Sequence, residues 1–101
     1  MVKVFISQPM RDKTNEEIEA VREQAIKVVK TVIDDEVQVI DSFFKDAPVQ
    51  AKPLWYLSKS IELLAEADVA VFAPGWKEAR GCAIECECAT RYGIKVIYLE
   101  V

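Results

Sequence analysis

Histidine is absent from the 101 residues, and that absence removes several chemistries at once. Neither a Ser-His-Asp nor a Cys-His nucleophile can be assembled within the chain, nor can a zinc site that relies on imidazole. Acid–base work falls to carboxylates, lysine, tyrosine or cysteine. Glycine is scarce, at three residues, so the chain carries neither a G-x-G-x-x-G dinucleotide fingerprint nor a P-loop. No apolar run reaches the ~18 residues of a membrane-spanning helix. The opening "MVKVFISQPM" is too short and too polar after Ile6 for a signal peptide. Basic charge is in deficit, with 13 Lys and Arg against 17 Asp and Glu and a net charge of −4. That balance speaks against a nucleic-acid backbone as partner, though a few backbone N–H groups and one arginine still suffice for a small anion. The cysteines, Cys82, Cys86 and Cys88, are odd in number and crowded together, which argues against a disulfide framework and for a reducing, cytoplasmic location.

What is present is ordinary for a globular protein: 51% apolar and 30% charged residues, enough for one domain spanning residues 1–101 and too few for a second core. "VKVFIS" (Val2–Ser7) is a nearly continuous β-branched and aromatic run, the pattern of a buried strand. After the loop "QPMRDK", the sequence "TNEE" forms a capping box, with Thr14 as N-cap and Glu17 three residues on. The helix it opens carries Ile18, Val21, Ala25, Val28, Val29 and Val32 on one stripe. A second strand is predicted over Glu36–Asp41, then an irregular aromatic segment, then a helix from Pro53 with Leu54, Leu57, Ile61, Leu64 and Ala67 facing inward. "DVAVFA" (Asp68–Ala73) is a third strand. "CAIECECATRY" is a third helix stopped by Gly93, and "IKVIYLE" (Ile94–Glu100) is a last strand. Strands alternating with amphipathic helices predict an α/β fold: a small Rossmann-like, doubly wound parallel sheet of four to five strands with helices on both faces. Ligands in such folds sit beyond the carboxyl ends of the strands. Three loops begin there: Ser7–Lys13, Asp41–Lys52 and Pro74–Gly81.

The third helix holds the strongest chemical signal. At about 100° per residue, Cys82, Glu85, Cys88, Ala89 and Tyr92 share one face, so Glu85 sits inside an apolar arc. A carboxylate there is either paired with a cation or a helix start, or it is a nucleophile or base at the floor of a pocket. Glu87 faces solvent. The thiols on one helix cannot enclose a tetrahedral ion, and packing against the sheet accounts for them. The loop "SQPMRDK" joins a strand end to a helix N-terminus, where N–H groups and Arg11 favour an anion. It is equally an ordinary loop with a solvated arginine. Trp55, Trp76, Phe43 and Phe44 suit either stacking on a base or lidding the core. Asp68, before a buried strand, suits a site acid or a solvated junction.

Three segments in this order, "VFISQPM", "SIELLAEADVAVFAPGW" and "ARGCAIECECATRYGIKVIYL", resemble the nucleoside 2-deoxyribosyltransferase superfamily. The likeness is to its short bacterial and phage branch, and less closely to the deoxynucleoside 5′-monophosphate N-glycosidases. It covers essentially the whole chain and is most specific at Gly81, Glu85 and Ala89, a G-x-x-x-E-x-x-x-A pattern. The resemblance implies homodimers or larger assemblies, a nucleoside or nucleotide as the small-molecule partner, and neither metal nor cofactor. It also implies a glutamate, here Glu85, that attacks the anomeric carbon and releases the base, a chemistry consistent with an oxocarbenium-like transition state. Asp68 corresponds to an acid that holds or protonates the base. The substrate-binding set implied is Ser7, Gln8, Pro9, Met10, Arg11, Ser60, Gly75, Trp76, Arg80 and Gly81. Two positions depart from the pattern: Ser60 stands where an aspartate is common, and Phe5 where a tyrosine often bonds the nucleophile. Both departures keep open a second reading, a protein that binds a nucleotide ligand without turning it over.

Overall fold

Among the described residues four short strands, all parallel, form one sheet in the order β2-β1-β3-β4. A computed structural model describes residues 1–42, 44 and 47–99. The elements are β1 (Val2–Ser7), α1 (Asn15–Val32), β2 (Val37–Val39), α2 (Pro53–Leu64), β3 (Val69–Phe72), α3 (Arg80–Arg91) and β4 (Lys95–Tyr98). The α/β, Rossmann-like expectation holds, with four strands and helices on both faces. Successive strand residues point to opposite faces, and the core divides accordingly. Val4, Ile6, Val69 and Val71 pack against Ala25 and Val29 of α1. Phe5, Ala70 and Phe72 pack against Leu64 of α2 and Cys86 and Ala89 of α3. One helix therefore covers one face and two cover the other.

The helix boundaries follow local chemistry. Thr14 accepts from the Glu17 N–H while the Glu17 carboxylate accepts from the Thr14 N–H, both at 3.1 Å, completing the predicted capping box. Pro53 opens α2, where its missing N–H is not needed. Gly93 follows α3 at φ +76°, the left-handed conformation that ends helices cheaply only at glycine.

Several stripe positions come out differently. Val32 is in phase with Ala25 and Val29 yet 60% exposed. The helix ends there, and Ile33, extended at the C-cap, packs on that core instead. Leu54 is exposed because it occupies the first turn of α2, ahead of the part that packs on the sheet. Tyr92 is exposed because it is the C-cap of α3, where the helical phase has ended, and Cys86 takes the inward position beside Cys82, Glu85 and Ala89. The second strand is three residues long rather than six, although the Ile40 N–H still donates to the Val4 carbonyl (2.8 Å). Phe43 and Glu100, named in the sequence reading, lie outside the described residues.

Candidate functional site

At the carboxyl end of the sheet, β1 and α3 bring two side chains into direct contact. Ser7, the last residue of β1, donates its hydroxyl to Glu85 Oε1 at 2.6 Å. Ser7 shares the face of β1 that carries Phe5, the side that α2 and α3 cover. Glu85 lies in the second turn of α3 and is 7% exposed. Burial pushes its carboxyl above the ordinary carboxylate range, and the hydroxyls of Ser7 and then Ser60 pull it back. Among the described residues no lysine or arginine forms an ion pair with it. One oxygen is thus fixed by a neutral donor, which keeps a partly desolvated carboxylate oriented without neutralising it.

The carboxylate forms part of the wall of a cavity of about 370 Å³, within the size range of small-molecule sites. The predicted residues Ser7, Gln8, Pro9, Met10, Arg11, Ser60, Arg80 and Gly81 all line it with Glu85. Arg11 and Arg80 are exposed cations at its rim. Ala79, the N-cap of α3, supplies no side-chain cap, and Ala79 through Cys82 form part of the wall. Its first N–H groups and positive dipole end are therefore available to an anion. A Cβ added at Gly81 would meet nothing within 4 Å, so glycine there leaves room rather than relieving strain. Gln8 is 5% exposed; its Nε2 donates to the Ile18 carbonyl (2.9 Å), and its Oε1 has no hydrogen-bond partner among the described residues.

Three predicted site residues lie elsewhere. Asp68 precedes β3, so strand direction places it at the amino edge of the sheet. There its carboxylate accepts from the Lys3 N–H (2.8 Å), while its own N–H donates to the Lys3 carbonyl (2.8 Å). Lys3 and Ser7 are four residues apart on β1, about 13 Å of extended chain, which separates Asp68 from the cavity. Trp76 packs on Phe72 and stacks with Tyr98 (centroids 5.3 Å apart) over a shallow groove shared with Cys86, Glu87, Thr90 and Arg91. Gly75, at φ +87°, is the turn that brings this loop against Pro9; a Cβ there would sit 3.4 Å from Pro9 Cγ. It shapes the site from behind.

Ser42, Tyr56 and Glu78 also line the cavity without having been expected there, as do Leu57 and Cys82, which the sequence marked only as packing residues. Tyr56 stands four residues before Ser60 on α2, so helical spacing from an already suspected position could have found it. Ser42 follows β2 at the carboxyl edge; its hydroxyl donates to the Ile6 carbonyl (3.2 Å). Arg22 of α1 donates to the Ile40 carbonyl (2.8 Å) and to Ser42 Oγ (3.4 Å). This network ties the start of the segment after β2 to α1 and β1. Burial pushes the Cys82 thiol up to about 11; the Ser7 hydroxyl opposes this, and the nearby Glu85 carboxylate adds a lesser upward push. A thiol so raised is protonated at neutral pH and a poor nucleophile. Among the described residues no group of three or more His, Cys, Asp or Glu is placed to hold a metal ion, and no helix is long and apolar enough to cross a membrane.

With this geometry in view, comparison with known proteins adds the following. The fold matches a crystal structure titled as a conserved protein from Enterococcus faecalis V583, with a TM-score of 0.70 and 20% sequence identity. All of this chain is covered, against 64% of that longer one. At this identity the match speaks to the fold alone. No curated protein matches the sequence. Residues 2–98 match a family described as a domain of unknown function, DUF4406, and the chain belongs to that family.

Proposed function

We propose that the protein is an enzyme of the nucleoside 2-deoxyribosyltransferase type that cleaves or transfers at the N-glycosidic bond of a (deoxy)nucleoside or its 5′-monophosphate. The observation that carries this reading is Glu85: a buried carboxylate on the wall of a ligand-sized cavity, held by the Ser7 hydroxyl rather than by a cation. The Ser7 bond also bears on the Phe5 departure. A hydroxyl reaches the carboxylate from the same strand and face, two residues further along. Arg11, Arg80 and the uncapped start of α3 suit a phosphate on the substrate.

In this mechanism the Glu85 oxygen attacks the anomeric carbon as the C–N bond breaks, and the base leaves with the bonding pair and takes a proton from water. Water then attacks the same carbon and gives its proton to the hydroxide left by the first step, the bond to Glu85 breaks with its pair returning to the carboxylate, and free sugar departs; a second base, losing its N–H proton in the same way, in place of water gives transfer. No cofactor enters either step. The placement of Asp68 outside the cavity removes the acid that the family resemblance offered for the leaving base. That placement favours the second reading, a binder that holds a nucleotide-derived ligand intact.

One experiment separates the two. Incubation with a panel of deoxynucleoside 5′-monophosphates, followed by chromatography, gives free base with the wild type and none with Glu85→Ala if the enzyme reading is right. Equal release by both proteins, or none by either, overturns it. Calorimetric binding with ligand recovered intact then identifies a binder. We further propose a homodimer or larger assembly, which sedimentation of the purified chain tests directly.

A further inference from the structure

We infer that Tyr56 is the platform on which the heteroaromatic part of the ligand stacks, and hence the residue that makes the site prefer a nucleotide over a bare sugar phosphate. The inference rests on the proposed function and adds a specificity residue to it. Among the described residues that line the cavity, two carry aromatic rings, Phe5 and Tyr56. Phe5 is 1% exposed and belongs to the core under α2 and α3, whereas Tyr56 is 40% exposed. Among these residues a ligand in the cavity therefore has one accessible ring to meet, that of Tyr56.

That ring is packed among other aromatic rings. Trp55 packs against it edge-on, with centroids 5.1 Å apart at 85°. Phe44 lies 6.5 Å away at 45° and is itself edge-on to Trp55 at 5.9 Å and 76°. Three rings in mutual contact fix one another's orientation, each contact adding to simple burial. Pro53 restricts the backbone at the first turn of α2, just before Trp55 and Tyr56. The platform is thus organised before a ligand arrives, which lowers the ordering cost of binding.

Its position relative to Glu85 fits the same ligand. Tyr56 and Ser60 are one turn apart on α2, and both line the cavity. The Ser60 hydroxyl acts on the Glu85 carboxyl. A group whose anomeric carbon lies at Glu85 therefore extends its base along α2 toward Tyr56. Stacking selects flat π-systems with little regard to their hydrogen-bonding edges, so the site discriminates presence and size of the base more than its identity.

The test is calorimetry of wild type, Tyr56→Phe and Tyr56→Ala with dAMP, dTMP and base-free 2-deoxyribose 5-phosphate. Tyr56→Phe, which keeps the ring, is expected to bind dAMP within about twofold of wild type. Tyr56→Ala is expected to bind it about 5- to 150-fold more weakly, the loss typical of one stacked base, with binding of the sugar phosphate unchanged. Tyr56→Leu provides the same contrast should the alanine variant fail to fold. Unchanged dAMP affinity in the ring-less variants, or an equal loss for dAMP and the sugar phosphate, overturns the inference while leaving the proposed function standing. Wild type that binds none of the three ligands overturns both.

Discussion

Burial holds the Glu85 carboxyl above its ordinary value while the Ser7 hydroxyl pulls it back, and the two influences surface in different measurements. Because the folded state binds this proton more tightly than the unfolded chain does, the associated stability is fully present below the unfolded value of about 4.5. It is lost as pH rises through the higher folded value. Glu85→Gln, which has no charge to desolvate, is therefore expected to melt above wild type at pH 7 and level with it near pH 4, as thermal denaturation at the two pH values will show. The Ser7 bond favours the charged form. If Glu85 acts as the proposed nucleophile, the acid limb of kcat/KM in Ser7→Ala should move to higher pH, with a larger loss of base release at pH 6 than at pH 8; an unshifted limb would show that Ser7 does not act on Glu85. Asp68 belongs to the frame. Asp68→Ala should leave base release unchanged and cost about 0.5–1.5 kcal/mol in urea titration, the worth of an ordinary hydrogen bond. The buried position of Glu85 was readable from helical phase, and the exclusion of Asp68 was readable from strand direction, since a residue preceding a parallel strand lies at the edge opposite the ligand loops. The resemblance to a family pointed the other way; in the structure Asp68 lies at the amino edge, bonded to Lys3. The Ser7–Glu85 contact was not readable, because it joins residues 78 apart and depends on how α3 sits on the sheet.

Local chemistry sets the ends of elements, and the lengths of their neighbours set how much of each is buried. Thr14→Ala removes one half of the capping box and is expected to cost about 1 kcal/mol. Gly93→Ala forces a Cβ into a left-handed backbone with nothing within 4 Å to clash, so its cost, about 1–2 kcal/mol, should be purely conformational. Equilibrium unfolding of the two variants measures both. These caps were legible because they depend on residues close together in sequence. The exposure of Val32 and Leu54 was not, since periodicity gives the face of a helix but not where the sheet beneath it stops. The shortness of β2 has the same origin: Ile40 still bonds to β1, but Arg22 and Ser42 then draw the chain into the segment beside the cavity.

The whole molecule is arranged around its first strand. β1 lies between β2 and β3, with Val4 paired to Val39 on one side and Val69 on the other. The change in direction of strand order at β1 leaves a crevice at its carboxyl end, where Ser7, the loop after it and α3 converge, as expected for doubly wound sheets. Alternation of strands and helices made that architecture legible. The order of the strands was not, because neighbours along the chain need not be neighbours in the sheet. The central place of β1 also dictates a sequence of events during synthesis. Its pairing with β3, where Val4 meets Val69, closes a long stretch of chain, an entropic cost that must be met before the contacts reward it. β1 is made before β3 and must wait, with one side open, until Val69–Phe72 has been made. A fragment of residues 1–52 should accordingly show no cooperative urea transition by circular dichroism, whereas the full chain should show one. Until β3 is in place β1 keeps one edge unpaired, the kind of exposed strand edge that makes a partly folded chain prone to associate with its copies.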